Sequence, residues 1–600
     1  MPTWAALALL VAAGAWFAHA FAARLPGPWI FPDELLYGEL ARSIGAGEGL
    51  LVRDAPADLY ALVYPALLAP AFALFESVPD AYAAAKAINA VLVSLAAVPA
   101  FLIARRFLSR LGAFAAAALA VAVPSTVYAG MLMSENAFYP VFLAAVLAIV
   151  AVLDRPTAAR QLAALAALGL AFLTRPQGVA LVPILLTSIL LVAALDVRRA
   201  GAPFLRAYLR SLGRFRLTWA LVAAGPAALT ILQLVRGASL VDLLGIYAPT
   251  VGGQQLSEIP RWFLYHVAEL DLYVGILPFA AFVLLLVTQL RSPTAPRELR
   301  VLLVVTAAAI VWTALLVAAF SATPSAAEGY VELPPRIHER YMFYCAPLLL
   351  IAFVAWLAGR APRPRRAAVA AAAVAGVLPA LIPVDEVGHN ASFEALALIV
   401  WSDTPLDRTV LAGLSLAFAA FFAFLAPRRR AIAVALVLLS FAGTRLVAET
   451  RIEALAEHNL AAAVAGDRDW IDRRVGGHAD VAVLSVQPEG ITSHGELFAA
   501  GLPVWESEFF NRSVGRVYYV GTRLPYALPD EHVGVAADGV VRDASGTAVR
   551  SDYVLAPASV RVQAVEVARD RAGMTLYRVR GPLRVDPRAV ATMTSARRPA

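Results

Sequence analysis

Two adjacent carboxylates, Asp33-Glu34, open a run that reads Asp33-Glu34-Leu35-Leu36-Tyr37-Gly38-Glu39-Leu40-Ala41-Arg42. An acid at a water boundary beside apolar and aromatic surface is suited to take a proton, because desolvation raises its pKa toward a useful base value. Both could instead cap the amphipathic helix that follows Pro32. A further acid, Glu135, lies in Met133-Ser134-Glu135-Asn136-Ala137-Phe138-Tyr139 and also stands where a helix would start. Two candidate cations complement them: Arg175 in Leu173-Thr174-Arg175-Pro176-Gln177-Gly178, and Arg340 in Arg336-Ile337-His338-Glu339-Arg340-Tyr341. Arginine binds phosphate bidentately, and at headgroup level it also serves as an interfacial anchor beside a tyrosine. The single cysteine, Cys345, excludes a disulfide framework and any multi-cysteine metal site.

The elements that must position these residues are membrane helices. Hydrophobic residues make up 60% of the 600-residue chain and charged residues 16%, and mean hydropathy is +0.71. A span needs about 20 mostly apolar residues. Spans are expected at 4–23, 82–104, 111–130, 136–153, 158–174, 177–196, 217–235, 270–290, 300–320, 342–359, 367–383, 407–426 and 431–448, about thirteen in all. The first is read as a retained helix, a cleaved signal peptide being the alternative. Lys86, Asn89, Gln233, Asp271 and Arg445 fall near span ends, where snorkelling side chains are expected.

Arginines crowd alternate loops, from Arg105, Arg106 and Arg110 to Arg428, Arg429 and Arg430. By the positive-inside rule those loops and the N-terminus are cytoplasmic, and the acid-bearing loops lie outside a cell membrane crossed many times. The net charge of +7 is then a topology signal, and no nucleic-acid partner is expected. After Glu449 the composition turns polar. Short apolar runs at 481–486, 516–520 and 574–579 read as strands. The expected organisation is a membrane domain over 1–449, an extracytoplasmic β-rich or α/β domain over 450–588 and a flexible tail over 589–600.

On the acid pair Asp33-Glu34 with Tyr37 and Ala41-Arg42, Tyr64-Pro65, Glu135, Leu173-Thr174-Arg175-Pro176 and Glu339-Arg340-Tyr341 followed by Pro347, the chain resembles the GT-C superfamily of polyprenyl-phosphate-sugar-dependent glycosyltransferases. The branch it resembles includes protein O-mannosyltransferases, the lipid A aminoarabinose transferase and actinobacterial arabinosyltransferases. The resemblance implies a GT-C-like all-α membrane domain, Asp33 as catalytic base with Glu34 beside it, and Glu135 near the acceptor or a metal. It implies Arg340 on the donor phosphate. Arg175 is a second phosphate candidate from its outer turn, and Tyr37, Tyr64, His338 and Glu339 are candidate substrate contacts. The implied activity is inverting transfer of a hexosyl or pentosyl group from a polyprenyl-phosphate donor, within the lipid bilayer, to a cell-wall glycan, lipid or protein acceptor. Mg or Mn dependence stays open. So does the alternative of a lipid or glycan flippase or exporter, which would need a polar route through the spans. The branch's Lys-Pro-Pro phosphate contact is Val63-Tyr64-Pro65-Ala66 here, and Lys86 lies too far along to inherit it. Trp505–Ser513 is read as a buried turn in preference to a glycan contact, and its Asn511-Arg512-Ser513 sequon as chance.

Overall fold

A computed structural model describes residues 3–29, 33–57, 61–201, 203–237, 255–323, 336–359, 364–384, 394–402, 408–426, 428–464, 466–488, 493–524, 528–570 and 573–595. Pro32, expected to start the first surface helix, lies outside them. Seven helices among these residues are long and apolar enough to cross a membrane: Thr3–Ala22, Val78–Ala104, Glu135–Asp154, Pro176–Ala200, Arg216–Arg236, Arg297–Ser321 and Arg430–Ala463. Val63–Leu74, Ala158–Thr174, Phe343–Leu357 and Arg408–Phe424 are shorter apolar helices.

Two expected spans are not straight. The one at 111–130 bends by 54° between Arg110–Val121 and Pro124–Gly130, where Pro124 has no N–H to continue the ladder and restricts Val123 to extended backbone. The one at 270–290 is replaced by Ile259–Tyr273 and Leu277–Arg291, bent by 112°. Gly275 and Ile276 both have left-handed backbone there, with φ of 81° and 66°. Small residues let the other helices close together. A Cβ on Gly14 would stand 3.1 Å from Ser94 Oγ, and one on Gly376 would stand 2.7 Å from Ala419 Cβ.

The arginine-rich loops meet at one end of the bundle. Arg297 contacts Asp154 at 3.1 Å and Asp196 at 2.9 Å, Arg106 pairs with Asp154, and Arg199 donates to the carbonyls of Gln289 and Leu290. The acid-bearing loops meet at the other end.

That second end carries the C-terminal domain. A small hairpin, β1 (Leu51–Val52) and β2 (Ala55–Pro56), precedes it in the chain. The domain's strands are β3 (Val481–Gln487), β4 (Val514–Gly521), β5 (Glu531–His532), β6 (Gly534–Val535), β7 (Val541–Arg542), β8 (Tyr553–Pro557), β9 (Val565–Arg569) and β10 (Met574–Arg578). Six form a sheet in the order β5-β4-β3-β8-β10-β9; β3 is parallel to β4 and β8, and β10 is antiparallel to its neighbours. The His494–Phe510 helix makes the crossover from β3 to β4. All of β3 is buried, and its alternation divides the work. Val481 and Val483 join a cluster with Trp505, Phe509, Leu35 and Tyr64 at the membrane-domain junction, while Ala482, Leu484 and Val486 join Val541, Leu583 and Val585 inside the domain.

Two expectations of organisation change, and one on the sequon holds. The composition boundary at 449 falls within the continuous Arg430–Ala463 helix, so the last span runs straight into the polar region. The expected tail begins in a helix, Pro587–Ser595. Asn511 of the sequon is fully buried, accepting from the amides of Ile471 and Asp472 at 3.0 Å, so its side chain is structural.

Candidate active site

Asp33 and Glu34 begin the Asp33–Ala46 helix. Successive helical residues point about 100° apart, so the pair divides between two surroundings. Asp33 keeps a third of its side chain exposed and accepts from Arg340 Nη1 at 3.0 Å. Glu34 is fully buried, accepting from the Trp29 amide at 2.6 Å, the Leu132 amide at 3.0 Å and the Tyr82 hydroxyl at 3.4 Å. The expectation that Glu34 flanks Asp33 as a second catalytic acid is therefore corrected. It ties the helix start to the 128–134 segment.

That segment is held from several sides. Asn136 Nδ2 donates to the carbonyls of Tyr128, Met131 and Met133 at 2.9–3.1 Å, and Asn89 Nδ2 donates to that of Met131. The apolar run thus ends in an immobilised turn that delivers Ser134 and Glu135 at the head of the next helix. Arg175 reaches this turn from the Ala158–Thr174 helix. Gly178 is required there: a Cβ would stand 2.6 Å from the backbone carbon of Ala171. Arg175 Nη1 lies 2.5 Å from Glu135 Oε2 and donates to Ser134 Oγ at 2.7 Å, its Nε donates to Gln177 at 2.5 Å, and its guanidinium covers the Tyr341 ring at 4.9 Å.

Arg340 is the centre of the constellation. Besides Asp33, its Nε lies 3.3 Å from Glu135 Oε1 and its Nη2 lies 3.2 Å from Glu394 Oε1 and donates to Tyr341 Oη at 2.9 Å. Burial opposes its charge, but Glu394, Tyr341, Glu135 and Asp33 outweigh that and hold it well above the usual arginine pKa. Glu394 and Glu135 are almost wholly buried, so Asp33 is the acid of this group that solvent reaches. Burial alone would raise the Glu394 carboxyl. Arg340, then His338, pull it below the ordinary carboxylate range instead.

The expected substrate contacts lie behind this surface. Tyr37 donates to Ser134 Oγ at 3.1 Å and meets Tyr64 edge-on, and Tyr64 donates to Asn89. His338 stacks on Tyr341 at 5.1 Å, with Nδ1 2.9 Å from Glu394 Oε2, and its amide donates to His266 Nε2 at 3.1 Å. Glu339 accepts from the Ala397 amide at 2.7 Å, and burial pushes its pKa up to about 7 against the lowering effect of its hydrogen bonds to Glu269 and the backbone amides of Ala397 and Leu396. All four, like Arg340, are 4% exposed or less, and the bonds described for them run to other residues of the protein. Arg175 is similarly enclosed, its donors committed to Glu135, Ser134 and Gln177.

Two further expectations change. Lys86 does not snorkel: it is buried, donates to the Leu25 carbonyl at 2.7 Å and lies over the Tyr82 ring at 4.5 Å. Arg445 is likewise buried, bonded to Thr126 at 2.8 Å and Glu449 at 2.6 Å. Among the described residues no three of His, Cys, Asp and Glu gather to ligate a metal. Glu135, flanked by two guanidinium groups, does not suit a divalent cation. Sequence reasoning missed Glu394, Ser134 and His266. Ser134 sits inside a quoted motif, whereas no motif marks the other two.

Comparisons with known proteins bear on this arrangement. Residues 60–215 match the family model described as dolichyl-phosphate-mannose-protein mannosyltransferase. No curated protein sequence matches the chain. Among solved structures, ArnT from Cupriavidus metallidurans bound to undecaprenyl phosphate is similar at 16% identity with a TM-score of 0.50, covering 95% of this chain and 97% of that one. The Archaeoglobus fulgidus oligosaccharyltransferase in its apo form is more distant, at 13% identity, a TM-score of 0.38 and coverage of 87% and 62%. The chain is similar to ArnT in fold over nearly its whole length, and it resembles the GT-C superfamily that its acid and arginine motifs imply.

Proposed function

We propose that the chain is an inverting glycosyltransferase that moves a sugar from a polyprenyl-phosphate donor to a glycan, lipid or protein acceptor. The observation that carries this reading is the Asp33–Arg340 pair, in which a solvent-accessible carboxylate is held by an arginine whose remaining contacts are buried. Asp33 is the base: it takes the acceptor's hydroxyl proton as that oxygen attacks the anomeric carbon. The donor phosphate departs from the face of the anomeric carbon opposite the attacking oxygen, and the Arg340 guanidinium, 3.0 Å from Asp33, supplies fixed positive charge to the site as charge grows on that phosphate. Glu135 and Glu394 aim that guanidinium, and Arg175 aims Glu135. The mannosyltransferase match over 60–215, which includes Glu135 and Arg175, supports the same reaction class.

The arginine-rich end faces the cytoplasm in this reading, and the C-terminal domain and Asp33 lie on the other side. The test is transfer of label from a panel of radiolabelled polyprenyl-phosphate sugars into a membrane extract by purified protein. General-base assistance is worth about 10²–10⁴-fold, so Asp33→Asn should insert and fold normally and lose activity by about that factor. Wild-type transfer by that variant overturns the assignment of Asp33.

A further inference from the structure

The Phe204–Gly213 helix links Leu181–Ala200 to the apolar Arg216–Arg236 helix at the arginine-rich end, and none of its residues is buried. Gly201, with left-handed backbone at φ 62°, ends the preceding helix, and Pro203 starts this one in a new direction. At about 100° per residue, Phe204, Tyr208, Leu212, Leu205 and Leu209 fall within an arc of about 140°, and Arg206 and Arg210 fall outside it. Phe204, Leu205 and Leu209 are 43%, 68% and 57% exposed. The helix is nonetheless fixed at both ends, by Arg198 over the Phe204 ring at 5.6 Å and by Trp219 Nε1 donating to the Leu212 carbonyl at 3.1 Å.

Charge identifies what covers this face. From Val197 to Arg216 the chain has six arginines and no acid, and Arg206 and Arg210 make no ion pair among the described residues. Like charges four residues apart destabilise a helix, and an anion bridging them removes that cost. Because both flanking helices are apolar enough to enter the bilayer, this short helix is held at the membrane surface, where its apolar arc meets acyl chains and its arginines meet headgroups.

We propose that Phe204–Gly213 is an interfacial helix whose Arg206 and Arg210 bind the headgroup phosphates of anionic phospholipid. The inference does not depend on the glycosyltransferase reading. The test is titration of the full-length protein, in neutral detergent, with fluorescent phosphatidylglycerol or phosphatidylcholine. The wild type should bind phosphatidylglycerol more tightly, and raising salt should weaken that binding. Arg206→Gln with Arg210→Gln should weaken it by about 10- to 30-fold, whereas Arg206→Lys with Arg210→Lys should retain most of it. Equal binding of the two lipids by the wild type overturns the proposal, as does undiminished phosphatidylglycerol binding in a folded glutamine pair. Should the glutamine pair fail to fold, wild-type binding of phosphatidylglycerol that is insensitive to salt overturns it as well.

Discussion

The Glu135–Asp154 helix starts beside Arg175 and Arg340 and ends, about 30 Å away, beside Arg106 and Arg297. Both ends join loops through arginine–carboxylate pairs. At the first, Arg340 is 5% exposed and shares acids from three separate segments; at the second, Arg297 is 36% exposed and holds Asp154 and Asp196. Water screens the second set and barely reaches the first. The same residue types therefore build a rigid constellation at one end and a set of surface ties at the other.

Substituting the two arginines tests that contrast most severely. Arg340→Gln leaves buried carboxylates uncompensated and should cost about 3–5 kcal/mol, with loss of transfer. Arg297→Gln should cost about 0–1 kcal/mol. Thermal unfolding in detergent reads both, and equal losses would remove the distinction. Next in size is a pH effect confined to the first end. Glu339 holds its proton in the folded chain up to about pH 7, whereas an unfolded glutamate releases it above about 4.3. Unfolding between those values therefore releases a proton, so the stability from this group is full below about pH 4.3. It is lost as pH rises toward 7. Glu339→Gln, neutral throughout, should flatten that fall, and an unchanged pH profile of melting temperature would contradict it. Within the first end the smallest effect is that of Tyr37→Phe, which removes the bond to Ser134 and should cost about 0.5–1.5 kcal/mol with a few-fold loss of transfer, read by thermal unfolding and by the transfer assay.

The contrast also separates what the sequence made legible from what it did not. Alternating arginine loops and apolar runs locate both ends, so the meeting of Asp33, Glu135, Arg175 and Arg340 at one of them follows from topology. Which way each side chain turns does not. Glu34 differs from Asp33 by one helical step, and that step exchanges solvent for the backbone amides of Trp29 and Leu132. Lys86 looked free to snorkel because its partner is a main-chain carbonyl, which carries no sequence signature. Glu394 follows Arg340 by more than fifty residues in a stretch without a motif, and the bond its carbonyl accepts from the Arg340 amide at 2.9 Å holds it at the site. The span at 270–290 failed for a local reason: Gly275 and Ile276 turn the chain sharply inside a run whose hydropathy is uniform.

The Arg430–Ala463 helix sets a mechanical condition on everything above it. Its 34 residues rise about 51 Å, some 20 Å more than the hydrocarbon thickness, without a proline or glycine break past Gly443. This helix is one tie between the bundle and the C-terminal domain, and the Arg53–Glu508 pair at 2.5 Å, from the β1–β2 hairpin to the His494–Phe510 helix, is a second. With two anchors the domain cannot swing as a lid on one hinge. In the glycosyl transfer proposed above, the approach to Asp33 would then stay the same from one turnover to the next, with no lid to open.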